Sequence, residues 1–163
     1  MIARTLALIV LTAGAAQAQS PAAAAADPFV GAWRLVQWTQ KLADGTTRAA
    51  VADTGNIIYT ANGRMCAILQ NSKRQKWSGP AKTLEEATAR MSGSTAYCAR
   101  VEINAKEGYV VHHVDLDFNP SSIGIVRKRW FVFEGPNRLR LKIDRGELPK
   151  TVEESELVWE RVP

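Results

Sequence analysis

Two histidines, two cysteines and a short run of arginines are the residues through which this chain could do chemistry. Their spacing narrows what that chemistry is. His112 and His113 are adjacent, and on a strand they point to opposite faces, so they cannot grip one metal ion together. Cys66 and Cys98 lack the C-x-x-C spacing of a redox or zinc motif. No nucleophile elbow, phosphate loop or dinucleotide fingerprint occurs, and Ser121-Ser122 after Pro120 is turn chemistry. What remains is an acid–base set. His112 would give or take a proton, Arg129 would hold an anion or a developing oxyanion, and Tyr59 and Tyr97 would donate hydroxyls. This set calls for no metal and no cofactor.

Such residues act together only if strands bring them to one place, and strand signals dominate the chain. Ala32–Thr39 runs into the turn Ala43-Asp44-Gly45-Thr46, and Ala61-Asn62-Gly63 separates Asn56–Thr60 from Arg64–Gln70. Ala105-Lys106-Glu107-Gly108 joins Ala96–Asn104 to Tyr109–Phe118. Gly135-Pro136-Asn137 joins Ile125–Glu134 to Arg138–Ile143, and Ser155–Val162 ends the series. The expected fold is therefore all-β: an eight-stranded antiparallel up-and-down barrel. Between strands 3 and 4 lies an excursion, residues 71–94. There Thr83-Leu84-Glu85-Glu86 is a capping box that opens one short helix reaching about Met91. It is either a lid over the barrel mouth or a helix resting on the wall.

Alternation sorts the side chains by face. Met65, Ala67 and Leu69 share the inner face with Tyr97, Ala99, Val101 and Ile103. On the next strand Val110, His112, Val114, Leu116 and Phe118 are expected inside, with His113, Asp115 and Asp117 in water. For Ile125–Glu134 two readings stand. Phe131 and Phe133 pull one parity inward and take Arg127 and Arg129 with them; Val126, Trp130 and Val132 pull the other way. Under the first, His112 and Arg129 share the interior. A buried arginine is costly unless paired, and no inward carboxylate is evident. A ligand anion or ordered water would then partner Arg129; the alternative is that Arg129 snorkels to the rim. Met65 and Phe131 complete the candidate ligand-binding set of His112, Arg129, Tyr59 and Tyr97.

The two ends of the sequence also belong together. In a closed antiparallel barrel the first and last strands are neighbours, so Trp33 and Arg161 can form a cation–π pair on the barrel floor. Gly31 allows the bend into the first strand. This G-x-W opening with a terminal arginine is similar to the lipocalin and calycin signature. Gly31-Ala32-Trp33-Arg34-Leu35-Val36, Ile58-Tyr59-Thr60-x-x-Gly63-x-Met65, Tyr97-Cys98-Ala99-Arg100, Val111-His112-His113-Val114, Phe118-Asn119-Pro120 and Leu157-Val158-Trp159-Glu160-Arg161-Val162 follow in order. Together they resemble the bacterial and fungal lipocalin-like domain family over residues 29–162. Ala99 stands where that resemblance would have glycine. The resemblance implies a small barrel with a central cavity, used for ligand binding and occasionally for isomerase or cyclase chemistry.

The first residues bear on compartment. Arg4 precedes the apolar run Leu6–Ala13 and the A-x-A site Ala16-Gln17-Ala18, which reads as a signal peptide over 1–18 cleaved after Ala18. Residues 19–28 form an Ala-rich tether, and 29–163 the barrel domain, about 140 residues being enough to bury one core. A periplasmic or secreted protein is expected, with no transmembrane segment in the mature chain. The formal charge of +5 includes Arg4. Lys73-Arg74-Gln75-Lys76 and Arg127-Lys128-Arg129 carry much of it, as a solvated loop and strand; nucleic-acid binding would want a basic face interleaved with exposed aromatics, and an exported protein rarely meets that ligand, so no nucleic-acid partner is expected. An exported chain with an even cysteine count favours a Cys66–Cys98 disulfide, and the two strands would be neighbours. Ile68, on the parity of Cys66, speaks against the outward facing the bridge needs, and the pairing stays open.

Three functions fit these residues. The leading one is an exported barrel binding a small, largely apolar or weakly anionic ligand. The second is a cavity enzyme of isomerase or cyclase type with His112 as acid or base. The third is an envelope interaction protein whose core is filled.

Overall fold

The computed structural model describes residues 27–163. The expected signal peptide and residues 19–26 of the tether lie outside the described residues. Nine strands follow in antiparallel order: β1 (Gly31–Leu42), β2 (Thr47–Ala49), β3 (Thr54–Tyr59), β4 (Arg64–Gln70), β5 (Ser94–Asn104), β6 (Tyr109–Asp117), β7 (Val126–Phe133), β8 (Arg138–Ile143) and β9 (Val152–Arg161). β1 pairs with β9 and shuts the sheet into a barrel of eight staves, while β2 pairs only with β1. The extra strand changes the count, so helix α1 (Leu84–Met91) lies between β4 and β5, not between strands 3 and 4. Three-residue β2 escaped notice because Thr47-Arg48-Ala49 is exposed throughout and shows no apolar alternation.

The connections divide the barrel into two unlike ends. The turns β3–β4, β5–β6 and β7–β8 are short and lie at one end. Gly63 takes a left-handed φ of 75° in the first of them, as an Asn-Gly turn demands. That end is plugged. Phe29 is 1% exposed and meets Tyr59, Phe131 and Phe133 edge-on, with ring centroids 4.9–5.1 Å apart. Trp33 is wholly buried and gives its indole N–H to the Phe29 carbonyl at 2.8 Å. The Arg161 guanidinium lies over the Trp33 ring, 4.1 Å from its centroid, and donates to the carbonyls of Val30, Pro28 and Pro136. A Cβ on Gly31 would stand 2.7 Å from Arg161 Nη1, and Gly31 has φ 132°. The backbone angle favours glycine there, and a Cβ would in addition push Arg161 from its place on Trp33.

All the long connections lie at the other end. The longest carries α1, whose Thr83 cap accepts from the Glu86 amide at 3.1 Å. No residue of α1 is buried. Trp77 beside it is clasped by Arg74 and Arg90, 5.7 and 5.3 Å from its ring.

Two β-bulges shape this wider half. In β1, Leu35 pairs with Trp159 and Gln37 with Val158, leaving Val36 as an extra residue. Beyond it the inward parity switches, and Trp38 turns in. In β6, Val114 pairs with Ala99 and Leu116 with Cys98, leaving Asp115 extra. Strict alternation placed Leu116 and Phe118 inside and Asp117 in water. The bulge reverses this: Leu116 and Phe118 are 60% and 54% exposed, and the Asp117 side chain is 7% exposed.

Outside the barrel, Arg138, Arg140 and Lys142 of β8 are laddered to Glu160, Glu156 and Glu154 of β9. Cys66 and Cys98 sit directly opposite each other in the β4–β5 register and are bonded as a disulfide. Among the described residues no helix is long and apolar enough to cross a membrane.

Candidate functional site

Between the aromatic plug and the wide end the barrel holds a cavity of about 230 Å³. Its apolar wall comes from alternating positions of four strands, β3, β4, β8 and β9: Ile57, Ala67, Leu69, Leu141, Ile143 and Leu157. Trp38 and Trp159 form the β1–β9 side, and Trp38 donates to the buried Ser155 hydroxyl at 2.8 Å. Opposite them stand Tyr97, His112, Arg127 and Arg129. The Phe parity of β7 is the inward one, since Val126 and Val132 are more than half exposed. Burying Phe131 and Phe133 in the plug outweighs the cost of taking two arginines inside, because both arginines are paired.

His112 has no exposed surface. Its Nε2 is 3.0 Å from the Tyr59 hydroxyl, and its Nδ1 is 3.0 Å from that of Tyr97. Burial, reinforced by the nearby Arg129 and Arg127 charges, pushes its pKa down to about 3. At neutral pH the ring is therefore uncharged, one nitrogen giving a proton and the other accepting one. Burial likewise holds both tyrosine hydroxyls protonated.

The two arginines are not free cations. Arg129 Nη1 bonds both carboxylate oxygens of Glu147, at 2.9 and 2.8 Å, and the Lys128 carbonyl. Glu147 comes from the 3₁₀ turn Arg145–Glu147 after β8, where Asp144 caps the Gly146 amide at 3.0 Å. Its carboxylate also accepts from the Lys128 amide at 2.6 Å. Arg127 lies over the Tyr97 ring, 4.7 Å from its centroid, and pairs with Asp117 at 3.2 Å. The expectation that no carboxylate reaches the interior is thus overturned on two counts. Neither partner was visible by alternation: Asp117 is turned in by a bulge, and Glu147 reaches in from a loop. Asp144-x-Gly146 after a strand, a turn pattern that fixes the next residue's direction, is the one local signal for Glu147.

The candidate residues therefore fall into two groups. Tyr97, His112 and Arg129 line the cavity, with Tyr59 bonded to His112 behind them. Met65 is 1% exposed and Phe131 packs on Phe29; both belong to the plugged half and do not line the cavity. The helical excursion contributes no cavity-lining residue either, whereas Glu147 and Leu148 do. Two of the lining residues also hold a buried, unsatisfied polar atom. Trp159 Nε1 and Arg127 Nε are buried without an acceptor among the described residues.

Chemically, such a site offers hydrogen-bond donors to an oxygen on an otherwise apolar molecule. It is poorly suited to general-base catalysis near neutral pH, because His112 is weakly basic and both its nitrogens are engaged.

No curated protein matches the chain. A solved structure of a redesigned beta barrel aligns over 85% of this chain and 96% of its own, at 12% identity and a TM-score of 0.42. Residues 30–162, which run from the residue before Gly31 to the one after Arg161, match the lipocalin-like domain family, and the chain belongs to it.

Proposed function

We propose that this protein is exported and binds one small, largely apolar molecule inside the barrel. The observation that carries the reading is the cavity between plug and open end, apolar on most of its wall with polar groups gathered on one side. That is the usual make-up of a small-molecule site. At about 230 Å³ it lies below the roughly 300–1,000 Å³ of drug-sized pockets. It has room for roughly eight water-sized groups at about 30 Å³ each, which suits a single ring or a short branched chain. Export is supported by the signal-peptide pattern at residues 1–18, and the disulfide suits an oxidising compartment.

Native mass spectrometry of the protein purified from its own host's periplasm or medium tests both parts. The expected spectrum shows a chain shortened by its first 18 residues, carrying a small adduct that is lost on unfolding. An intact N-terminus would remove the export claim. The bare mass in every preparation, with no retention of small apolar solutes added back, would remove the binding claim.

A further inference from the structure

The hydrogen-bonded row Tyr59–His112–Tyr97 has a direction. Tyr59 is 3% exposed, and its hydroxyl has His112 Nε2 as its sole partner among the described residues. If the imidazole gave its proton to Tyr59, the Tyr59 hydroxyl hydrogen would be left buried without an acceptor, at the expense of a lost hydrogen bond. The satisfied arrangement has Tyr59 donating to Nε2 and the Nδ1 hydrogen donating to Tyr97. Tyr97 then accepts from His112, and its own hydroxyl hydrogen is free to turn towards the cavity that Tyr97 lines. Trp159 and Arg127, which line the same space, each hold a buried N–H, at Nε1 and Nε, that has no acceptor among the described residues.

Charge decides what kind of acceptor fits. Arg127 is balanced by Asp117 and Arg129 by Glu147, and His112 is neutral. The cavity wall carries no uncompensated cation, so a carboxylate would enter without a counter-charge or would have to displace Glu147. We propose that the Tyr59–His112–Tyr97 row presents the Tyr97 hydroxyl as a donor, making the cavity a site for a neutral carbonyl oxygen on a small apolar molecule. This rests on the cavity-binding reading above and narrows its ligand class from a largely apolar or weakly anionic molecule to a ketone, ester or amide.

The test has two arms. In the His113→Gln variant, a surface change that leaves one histidine, long-range ¹H–¹⁵N spectra report the His112 ring directly. A neutral ring protonated on Nδ1 is expected; the Nε2 tautomer or an imidazolium overturns the proposal. The second arm compares three probes of nearly equal shape by chemical-shift titration: acetophenone, α-methylstyrene and benzoate. Acetophenone should bind roughly tenfold tighter than either, about one buried hydrogen bond's worth. Tyr97→Phe should erase that preference while leaving α-methylstyrene binding in place. Equal binding of ketone and alkene, or tighter binding of benzoate, overturns the proposal and leaves cavity binding standing. If no probe moves the resonances of cavity residues, the cavity-binding reading itself fails, and the inference with it.

Discussion

Asp117 meets Arg127 at 3.2 Å inside the barrel, two positions beyond the bulge at Asp115. Without that one extra residue, Asp117 would face water, Leu116 would face the cavity, and Arg127 would be buried on the Tyr97 ring without a counter-charge. The bulge therefore sets the electrostatics of the site as well as the shape of the strand.

Removing the carboxylate should therefore be expensive. Asp117→Ala leaves a guanidinium mostly buried and unpaired, a change that costs about 3 kcal/mol. Urea denaturation would measure it. Asp117→Leu combined with Arg127→Met should recover most of the loss, since the two positions contact each other and are not additive. A double variant as unstable as the single one would show that the ion pair is not the cause.

This pair also marks where the sequence stops being readable. The barrel, its closing strands and most of its inner face follow from period-two alternation and turn chemistry. Trp33 and Arg161 could be brought together from opposite ends of the chain because closure makes first and last strands neighbours. Parity alone likewise places His112 and Tyr97 inward, whereas Tyr59 enters only as a candidate hydroxyl donor. Parity fails after a bulge, and a bulge has no residue-type signature: Val36 and Asp115 look like ordinary strand residues. Leu116 and Phe118, apolar yet exposed, pointed to the wrong register. Glu147 was hidden for another reason, since a loop carboxylate reaching across to β7 leaves no periodic trace. Met65 and Phe131 share the inner face with the cavity residues yet lie in the plugged half. Parity says which face a residue is on, not how far along the barrel axis it lies.

The plugged end should behave as one packed unit. Trp33→Ala removes a wholly buried indole together with its bond to Phe29 and its contact with Arg161, and should cost about 3–5 kcal/mol. Gly31→Ala should destabilise even though it adds one methyl group, because the new Cβ falls 2.7 Å from Arg161 Nη1 at a φ of 132°. Thermal melts check both. A Gly31→Ala protein as stable as the parent would show that Arg161 is not held against the strand.

Acid should unfold the protein partly through one residue. In the unfolded chain His112 takes up a proton near its ordinary value of 6.5, whereas in the folded barrel it does so only at about 3. The stability it contributes is complete above pH 6.5 and is lost progressively as pH falls from there towards 3. At most this amounts to about 5 kcal/mol. Urea midpoints recorded between pH 7 and 4 should fall less steeply in His112→Gln, which keeps polar atoms near both tyrosines but does not titrate. Equal slopes in the two proteins would locate the acid sensitivity elsewhere, for example in the carboxylates laddered between β8 and β9.

The Cys66–Cys98 bridge fastens β4 to β5 midway along both strands, four pairs in from Gln70 and Ser94, where the excursion carrying α1 departs. The sequence leaves its formation open, because apolar Ile68 shares the parity of Cys66 and argues for an inward face. Ile68 is in fact 59% exposed, so both cysteines and Ile68 lie on the outer face. The bond closes a loop of 32 residues, which in the chain-entropy account stabilises by roughly 3–4 kcal/mol. Denatured, unreduced protein should show no reactive thiol. Cys66→Ser with Cys98→Ser should lower the urea midpoint accordingly while keeping the barrel's circular dichroism, since the register of β4 on β5 is already fixed by Met65, Ala67 and Leu69 facing inward. Because the bridge is on the outer face and the cavity is lined by the opposite parity, the double variant should retain the acetophenone affinity of the parent. A large loss of affinity would mean that the bridge, and not the inward side chains, sets the geometry of Tyr97 next to Cys98.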